Sequence, residues 1–150
     1  MKKSTKFIIA LLVTVGALAI TYRVVNQAPS KDLAADAQMQ EIITSGGCLQ
    51  CHSGSPDLPF YANWPVASGM VQKDVTQGYR AFDMTEMAEA LKAGKPVGKV
   101  ALAKVEKVIM DGTMPKHAYY MVHWGSSVTD AKKEMAMAWV KQHRLAHYAN

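Results

Sequence analysis

The sequence predicts an all-α fold, with one helical domain preceded by an apolar N-terminal helix. Apolar residues recur at helical spacing in several stretches, and no stretch alternates apolar and polar residues as a half-buried strand would. Glycines and prolines separate these stretches, as expected at helix ends and turns. The length of 150 residues is typical of a single domain.

The first 25 residues have the pattern of an export signal. A basic start precedes an apolar run over residues 7–22. A small-x-small cleavage sequence occurs at Ala17–Ala19, but the apolar run continues beyond it and is almost long enough to cross a membrane. We interpret residues 1–25 as a signal peptide or, in preference, as an uncleaved membrane anchor; either way the rest of the chain is exported. The basic residues at the start are Lys2, Lys3 and Lys6.

Residues 26–31 are predicted to form a short tether, and residues 32–150 the folded domain. Ser30 or Asp32 is expected to cap the first helix of this domain, and the Gly46–Gly47 pair to end it. Later helices begin at capping-box patterns or end at glycines. The predicted helices cover about residues 33–45, 66–79, 83–93, 99–111 and 127–147. The side chains expected to be buried in the last helix are Met135, Ala138, Trp139 and Leu145.

The segment Cys48–His52 is a C-x-x-C-H sequence, which is the signature of covalent haem attachment. Each thiol forms a thioether with the porphyrin, and the histidine that follows binds the iron. The chain has only two cysteines, which excludes an all-cysteine zinc site, and a thioredoxin-like redox pair needs a βαβ context that is absent here. We therefore predict one covalent haem c, attached through Cys48 and Cys51, with His52 as an iron ligand.

Residues 53–65 are predicted to form an irregular loop, because they contain three prolines and a glycine. Three aromatic residues, Phe60, Tyr61 and Trp64, lie in this loop directly after the attachment motif. We expect them to cover the apolar faces of the haem. The alternative is that they pack a small core beneath the loop.

Met114 is the leading candidate for the second axial ligand of the iron. It follows a helix that ends at Gly112, and Pro115 stiffens the loop beyond it. His117 and His123 are the competing candidates, and either would give bis-histidine ligation.

Other side chains near this segment suit supporting roles. Tyr119, Tyr120, His123 and Trp124 are expected to close the loop over the haem and to hydrogen-bond its propionates. In the final helix, His143 and His147 lie beside basic residues and are expected to face solvent.

The order of helices and motifs resembles class I cytochrome c and, more narrowly, the bacterial haem-binding domain family. The resemblance covers about residues 30–145 and implies an exported domain with one haem, ligated by His52 and Met114. Phe60 stands where a tryptophan is expected in that family, and the stretch between Arg80 and the Met-Pro helix is shorter. The matching segments are Cys-x-x-Cys-His-Ser at 48–53, Pro-Phe-Tyr-Ala at 59–62, Gly-Tyr-Arg at 78–80 and Gly-Thr-Met-Pro at 112–115, with Tyr119 or Tyr120 and His123.

These features predict an electron carrier on the periplasmic side of the bacterial inner membrane, because histidine/methionine ligation favours electron transfer over substrate chemistry. The alternatives are a haem enzyme or gas sensor with an open or displaceable sixth position of the iron, and a haem-bearing subunit of a respiratory complex.

The charge of the chain beyond the N-terminal segment is nearly balanced, with 13 basic and 12 acidic residues, so nothing indicates nucleic-acid binding. We expect the partners to be redox proteins, either acidic proteins or membrane respiratory complexes. A locally basic set of side chains would suit an acidic partner, although solvated helix faces would carry the same residues: Lys92, Lys95, Lys99, Lys104, Lys107 and Lys116.

Overall fold

The computed structural model of the chain describes residues 3–149. Lys2, part of the predicted basic start, lies outside the described residues. Within them the protein is all-helical, which confirms the predicted fold class. The helices are α1 (Lys3–Val25), α2 (Ala35–Ser45), α3 (Ser68–Ala81), α4 (Thr85–Lys92), α5 (Lys99–Asp111), α6 (His117–Val122) and α7 (Asp130–Ala149).

The hydrophobic core lies between α2, α4, α5 and α7. The long helix α7 packs against both α2 and α5. Its contribution is centred on Trp139, which is almost completely buried. Burial of this apolar surface is the main force that holds the helices together. The other core side chains are Met39, Ile42, Ile43, Met84, Met87, Leu91, Val97, Leu102, Val105, Ala136 and Val140.

The predicted glycine signals at helix ends are followed better than the predicted caps at helix starts. The Asp83 carboxylate accepts a hydrogen bond from the Thr85 backbone N–H (2.9 Å), but the N-cap of α4 is Met84 and no side chain caps this helix. Gly112 ends α5 with a positive φ of 61°, a conformation that favours glycine. The start of α2 differs from the prediction, because no side chain caps it and Ser30 Oγ instead accepts from the Asp32 N–H.

Three short elements were not predicted. Helix α6 and the 3₁₀ turns at Cys48–Gln50 and Trp124–Ser126 each span six residues or fewer. Segments this short show no helical periodicity in the sequence.

The burial pattern of α7 was also predicted incorrectly in part. Ala138 and Leu145 are exposed, and Ala136 and Val140 occupy the core instead. His143 and His147 are not in open solvent. His143 contacts Asp36 on α2 at 2.8 Å, and His147 contacts the Val97 carbonyl at 2.7 Å. Both contacts join α7 to segments far away in the chain, which sequence periodicity does not reveal.

Helix α1 is long and apolar enough to cross a membrane, and none of its side chains is buried in the protein. Its end is joined to the domain by Asn26, which is buried. The Asn26 side chain donates to the Trp124 carbonyl (2.6 Å) and accepts from the Ser127 N–H (2.9 Å). The Tyr22 hydroxyl lies 2.8 Å from Ser127 Oγ. We call these three contacts the Asn26 clamp. They show that the first residue of the predicted tether packs against the domain.

Candidate haem-attachment site

One turn of backbone brings Cys48, Cys51 and His52 together. Gly47 has a positive φ of 66° and turns the chain from the end of α2 into the 3₁₀ turn. The N–H groups of Cys51 and His52 both donate to the Cys48 carbonyl, at 3.2 and 3.0 Å. The three side chains of the motif therefore project from one compact turn, as two thioethers and an axial ligand of one haem require.

The ring of His52 is oriented by the backbone. Its Nδ1 lies 2.8 Å from the Phe82 carbonyl, and since a carbonyl only accepts, Nδ1 carries the proton. The His52 carbonyl in turn accepts from the Met84 N–H at 2.7 Å. Because Nδ1 of His52 carries the proton, the free lone pair of the ring is on Nε2, which is the usual state of a metal-ligating histidine. The donor chemistry of the site thus fits a haem iron.

No disulfide joins the two cysteines, Cys48 and Cys51. Burial raises the pKa of Cys48 to about 11. The pKa of Cys51 is raised by burial and by the nearby Asp74 carboxylate, whereas Lys116 lowers it. Reactive redox cysteines have lowered pKa values, so these thiols do not resemble a thioredoxin pair.

Helix α3 approaches the attachment turn very closely. Gly78 is buried, and a Cβ at this position would lie 2.5 Å from the Cys51 carbonyl oxygen. Only glycine permits this approach without a shift of the backbone. Because Gly78 has no side chain, α3 packs directly against the backbone of Cys51.

Met114 lies in the loop between α5 and α6 and is half-buried. An ion pair between Lys116 and Asp74 of α3, 2.5 Å long, holds this loop. The charges of both partners act on the pKa of Cys51, so the loop lies beside the attachment turn. The Met-Pro segment therefore belongs to a loop that lies near Cys51.

Three further side chains form a cluster next to the motif, which we call the Tyr61–Tyr119–His123 cluster. The Tyr119 and His123 rings stack with centroids 4.0 Å apart. The Tyr119 hydroxyl donates to Gln50 Oε1 within the motif (2.6 Å). Burial raises the pKa of Tyr119 to about 12, with a smaller effect from Cys51, so its hydroxyl remains a donor at neutral pH.

Both ring nitrogens of His123 are engaged in this cluster. Nδ1 lies 3.1 Å from the Tyr119 carbonyl and therefore donates to it. Nε2 lies 3.1 Å from the Tyr61 hydroxyl, which then donates to the nitrogen lone pair. This arrangement leaves neither nitrogen of His123 available to a metal.

The remaining predicted site residues take other positions. Tyr120 pairs with the exposed His117, at a ring distance of 5.2 Å, so Tyr119 and not Tyr120 joins the site cluster. Phe60 packs edge to face against Tyr61 and Trp64. Phe60 and Trp64 are nevertheless mostly exposed, at 83% and 57%. Their role in covering a haem stays a prediction.

The helical fold and the C-x-x-C-H turn define the class: this is a haem protein. The family model described as "Haem-binding domain" matches residues 7–142, so the chain belongs to that family. The chain is also 36% identical over 104 residues to cytochrome c peroxidase Ccp of Escherichia coli (strain K12). That alignment covers 69% of this chain but only 22% of the relative, so the chain spans about a fifth of the relative's length. No solved structure matches the chain.

Proposed function

We propose that the chain is a one-electron carrier with a single haem c attached through Cys48 and Cys51 and ligated by His52 and Met114. When bound, the haem supplies the redox chemistry, and the protein orients its ligands. The observation that carries the proposal is the contrast between the two histidines. His52 has its Nε2 free, whereas both nitrogens of His123 are engaged. Met114, on a loop held beside the attachment turn, is then the better sixth ligand.

The location and partners follow from the same proposal. Helix α1 anchors the domain at the periplasmic face of the inner membrane, where it exchanges electrons with redox proteins or respiratory complexes. Part of the predicted basic surface is engaged within the protein. Lys107 and Lys116 form ion pairs with Asp111 and Asp74, and Lys104 donates to the Ala81 carbonyl. Lys92, Lys95 and Lys99 are exposed and remain to meet an acidic partner.

A haem enzyme is the second candidate, and the Tyr61–His123 hydrogen bond is the observation that favours it. A phenol and an imidazole in contact are suited to proton transfer. The named relative is a peroxidase, but its activity belongs to a chain about five times as long as the matched part. The two candidates differ in whether the sixth position of the iron is closed.

The sixth ligand decides between these functions, so we expect Met114→Ala to have a distinct effect. The oxidised wild-type protein should show the weak red charge-transfer band of a methionine–iron bond and bind carbon monoxide slowly when reduced. Met114→Ala should lose the band, lower the reduction potential and bind carbon monoxide rapidly, because a thioether stabilises ferrous iron. Visible spectra and a redox titration measure these changes.

Met110→Ala is the matched control, because Met110 is 73% exposed on α5 and close in sequence. It should leave the spectrum and the potential unchanged. His117→Ala and His123→Ala test bis-histidine ligation. If either abolishes the low-spin spectrum while Met114→Ala preserves it, the proposed ligand pair is wrong. A wild-type protein that is already high-spin would favour the enzyme.

A further inference from the structure

The Asn26 clamp fixes where the haem domain lies relative to the end of α1. Asn26 directly follows α1 and is buried by its two hydrogen bonds to the Trp124–Ser127 segment. Tyr22, one turn earlier, adds a third contact to Ser127. A buried, doubly bonded amide is costly to separate from its partners. The domain is therefore attached to the helix at one defined place and does not hang from a free linker.

The length of α1 sets the depth of this place in a bilayer. Its 23 residues span about 35 Å at 1.5 Å per residue, slightly more than the roughly 30 Å hydrocarbon core. The C-terminal end of the helix then reaches the outer headgroup region, and the Trp124–Ser127 segment is held at the same level. The family model begins at residue 7, within α1, so this helix is part of the domain as the family defines it.

Apolar side chains are exposed next to the clamp. Met121 and Val122, at the end of α6, are 67% and 66% exposed, and Trp124 is 46% exposed. His123, between them, faces inward to Tyr61. Tryptophan is enriched at membrane–water interfaces, where its apolar ring and polar N–H are both satisfied. The exposed side chains of this segment are thus suited to the outer headgroup region, where the Asn26 clamp holds them.

We infer that Met121, Val122 and Trp124 form a membrane-contacting face that rests on the outer leaflet of the bilayer crossed by α1. This inference depends on the anchored location in the proposed function. The same short segment, residues 119–123, supplies Tyr119 and His123 of the Tyr61–Tyr119–His123 cluster, so one edge of the haem site lies at the membrane surface. A redox partner within the membrane then reaches the site more directly than a soluble one.

The test places a nitroxide label on Met121→Cys in the full-length, haem-loaded protein. The protein is inserted into nanodiscs of phosphatidylcholine and phosphatidylglycerol, with one chain in each disc. Collision rates of the label with lipid-soluble oxygen and with a water-soluble nickel chelate report its surroundings. Val100→Cys, on α5, is the control because Val100 is equally apolar and 70% exposed.

We expect the oxygen-to-nickel ratio to be several-fold higher at position 121 than at position 100. Asn26→Ala should lower the ratio at 121 towards that of the control, because it removes the two hydrogen bonds of the clamp. Equal ratios at both positions in the wild-type background would overturn the inference. A high ratio that appears only with several chains in each disc would also overturn it, since a second copy would then cover the face.

Two measurements on the same samples separate this inference from the proposed function. Extraction with alkaline carbonate tests the anchor, and the visible spectrum tests the haem ligands. A protein that resists extraction but keeps position 121 in water refutes only the membrane-contacting face. A protein released by carbonate refutes the anchor and the face together, while an unchanged methionine–iron band leaves the electron-carrier proposal standing.

Discussion

At the scale of single residues, the attachment turn depends on two glycines for different reasons. Gly47 supplies a positive φ that redirects the chain, and a Cβ there would overlap the Tyr119 hydroxyl. Gly78 has an ordinary helical backbone but must lack a side chain, because α3 passes against the Cys51 carbonyl. Gly47 therefore meets a conformational and a steric requirement, whereas Gly78 meets a steric one alone.

We expect Gly78→Ala to destabilise the domain by about 1–3 kcal/mol, since the added methyl group forces α3 away from Cys51. Gly69→Ala on the same helix is the control, because no neighbouring atom of residues 3–149 lies within 4 Å of a Cβ there. That change should be neutral or stabilising by about 0.5–1 kcal/mol, as alanine restricts the unfolded chain. Urea unfolding of both variants measures the difference. Equal stabilities would show that the close approach is unimportant.

At the scale of secondary-structure elements, the contact between α2 and α7 contains a buried lysine. Lys132 is 1% exposed. Its ammonium group donates to the Ser127 carbonyl (3.1 Å) and to Ser45 Oγ at the end of α2 (3.3 Å). Both acceptors are neutral, and burial lowers the pKa of Lys132. The lysine thus ties α7 to the helix that leads into the attachment turn.

This lowered pKa predicts a pH dependence of stability. The folded protein releases the Lys132 proton at a lower pH than the unfolded chain, so the contribution of Lys132 to stability rises with pH as pH approaches 10.5. We expect wild type to gain stability relative to Lys132→Met between pH 7 and about 10.5. Denaturant unfolding across this range measures the gain.

Lys133→Met is the control for that series, because Lys133 pairs with Asp130 at the surface. Its difference from wild type should not grow in the same way. If Lys132→Met also shows a constant difference, the ammonium group of Lys132 is not desolvated in the folded protein. Comparison with wild type at each pH removes the contributions of tyrosines and cysteines that titrate in the same range.

At the scale of the whole molecule, the Asn26 clamp joins an apolar helix to a haem domain. The clamp links residues about 100 positions apart in sequence. Cleavage after Ala19 would leave Tyr22 and Asn26 in the mature protein, and with them all three contacts. It would remove most of the apolar segment and hence the membrane attachment.

The intact mass of the exported protein therefore tests two predictions together. We expect the mass of the chain with α1 retained plus one covalently attached haem, because C-x-x-C-H carries two thioether bonds. Replacing both cysteines, Cys48→Ala with Cys51→Ala, should give the bare polypeptide after denaturation. A mature chain that begins at Ile20 would refute the anchor, and haem retained in the double variant would refute covalent attachment through these thiols.

Much of the fold could be predicted from sequence because its signals are local. The helices predicted over residues 99–111 and 66–79 follow from periodicity, and the first also from Gly112 at its end. The structure confirms both to within a few residues. Such signals fail within α7, where Ala138 and Leu145 were predicted to be buried but Ala136 and Val140 occupy the core. Helical periodicity predicts a stripe, but the packing of α2 and α5 decides which residues face inward.

The sequence by itself determined the attachment motif, since thioether and ligand chemistry require only two cysteines and a histidine on one turn. Tertiary structure alone decided which surrounding groups support that motif. The Phe82 carbonyl orients His52, the Tyr119 hydroxyl donates to Gln50 within the motif, and Asn26 joins α1 to the domain. These contacts link residues between 30 and 98 positions apart, so they depend on how the helices pack. Local sequence patterns do not predict contacts between residues that are so far apart in the chain.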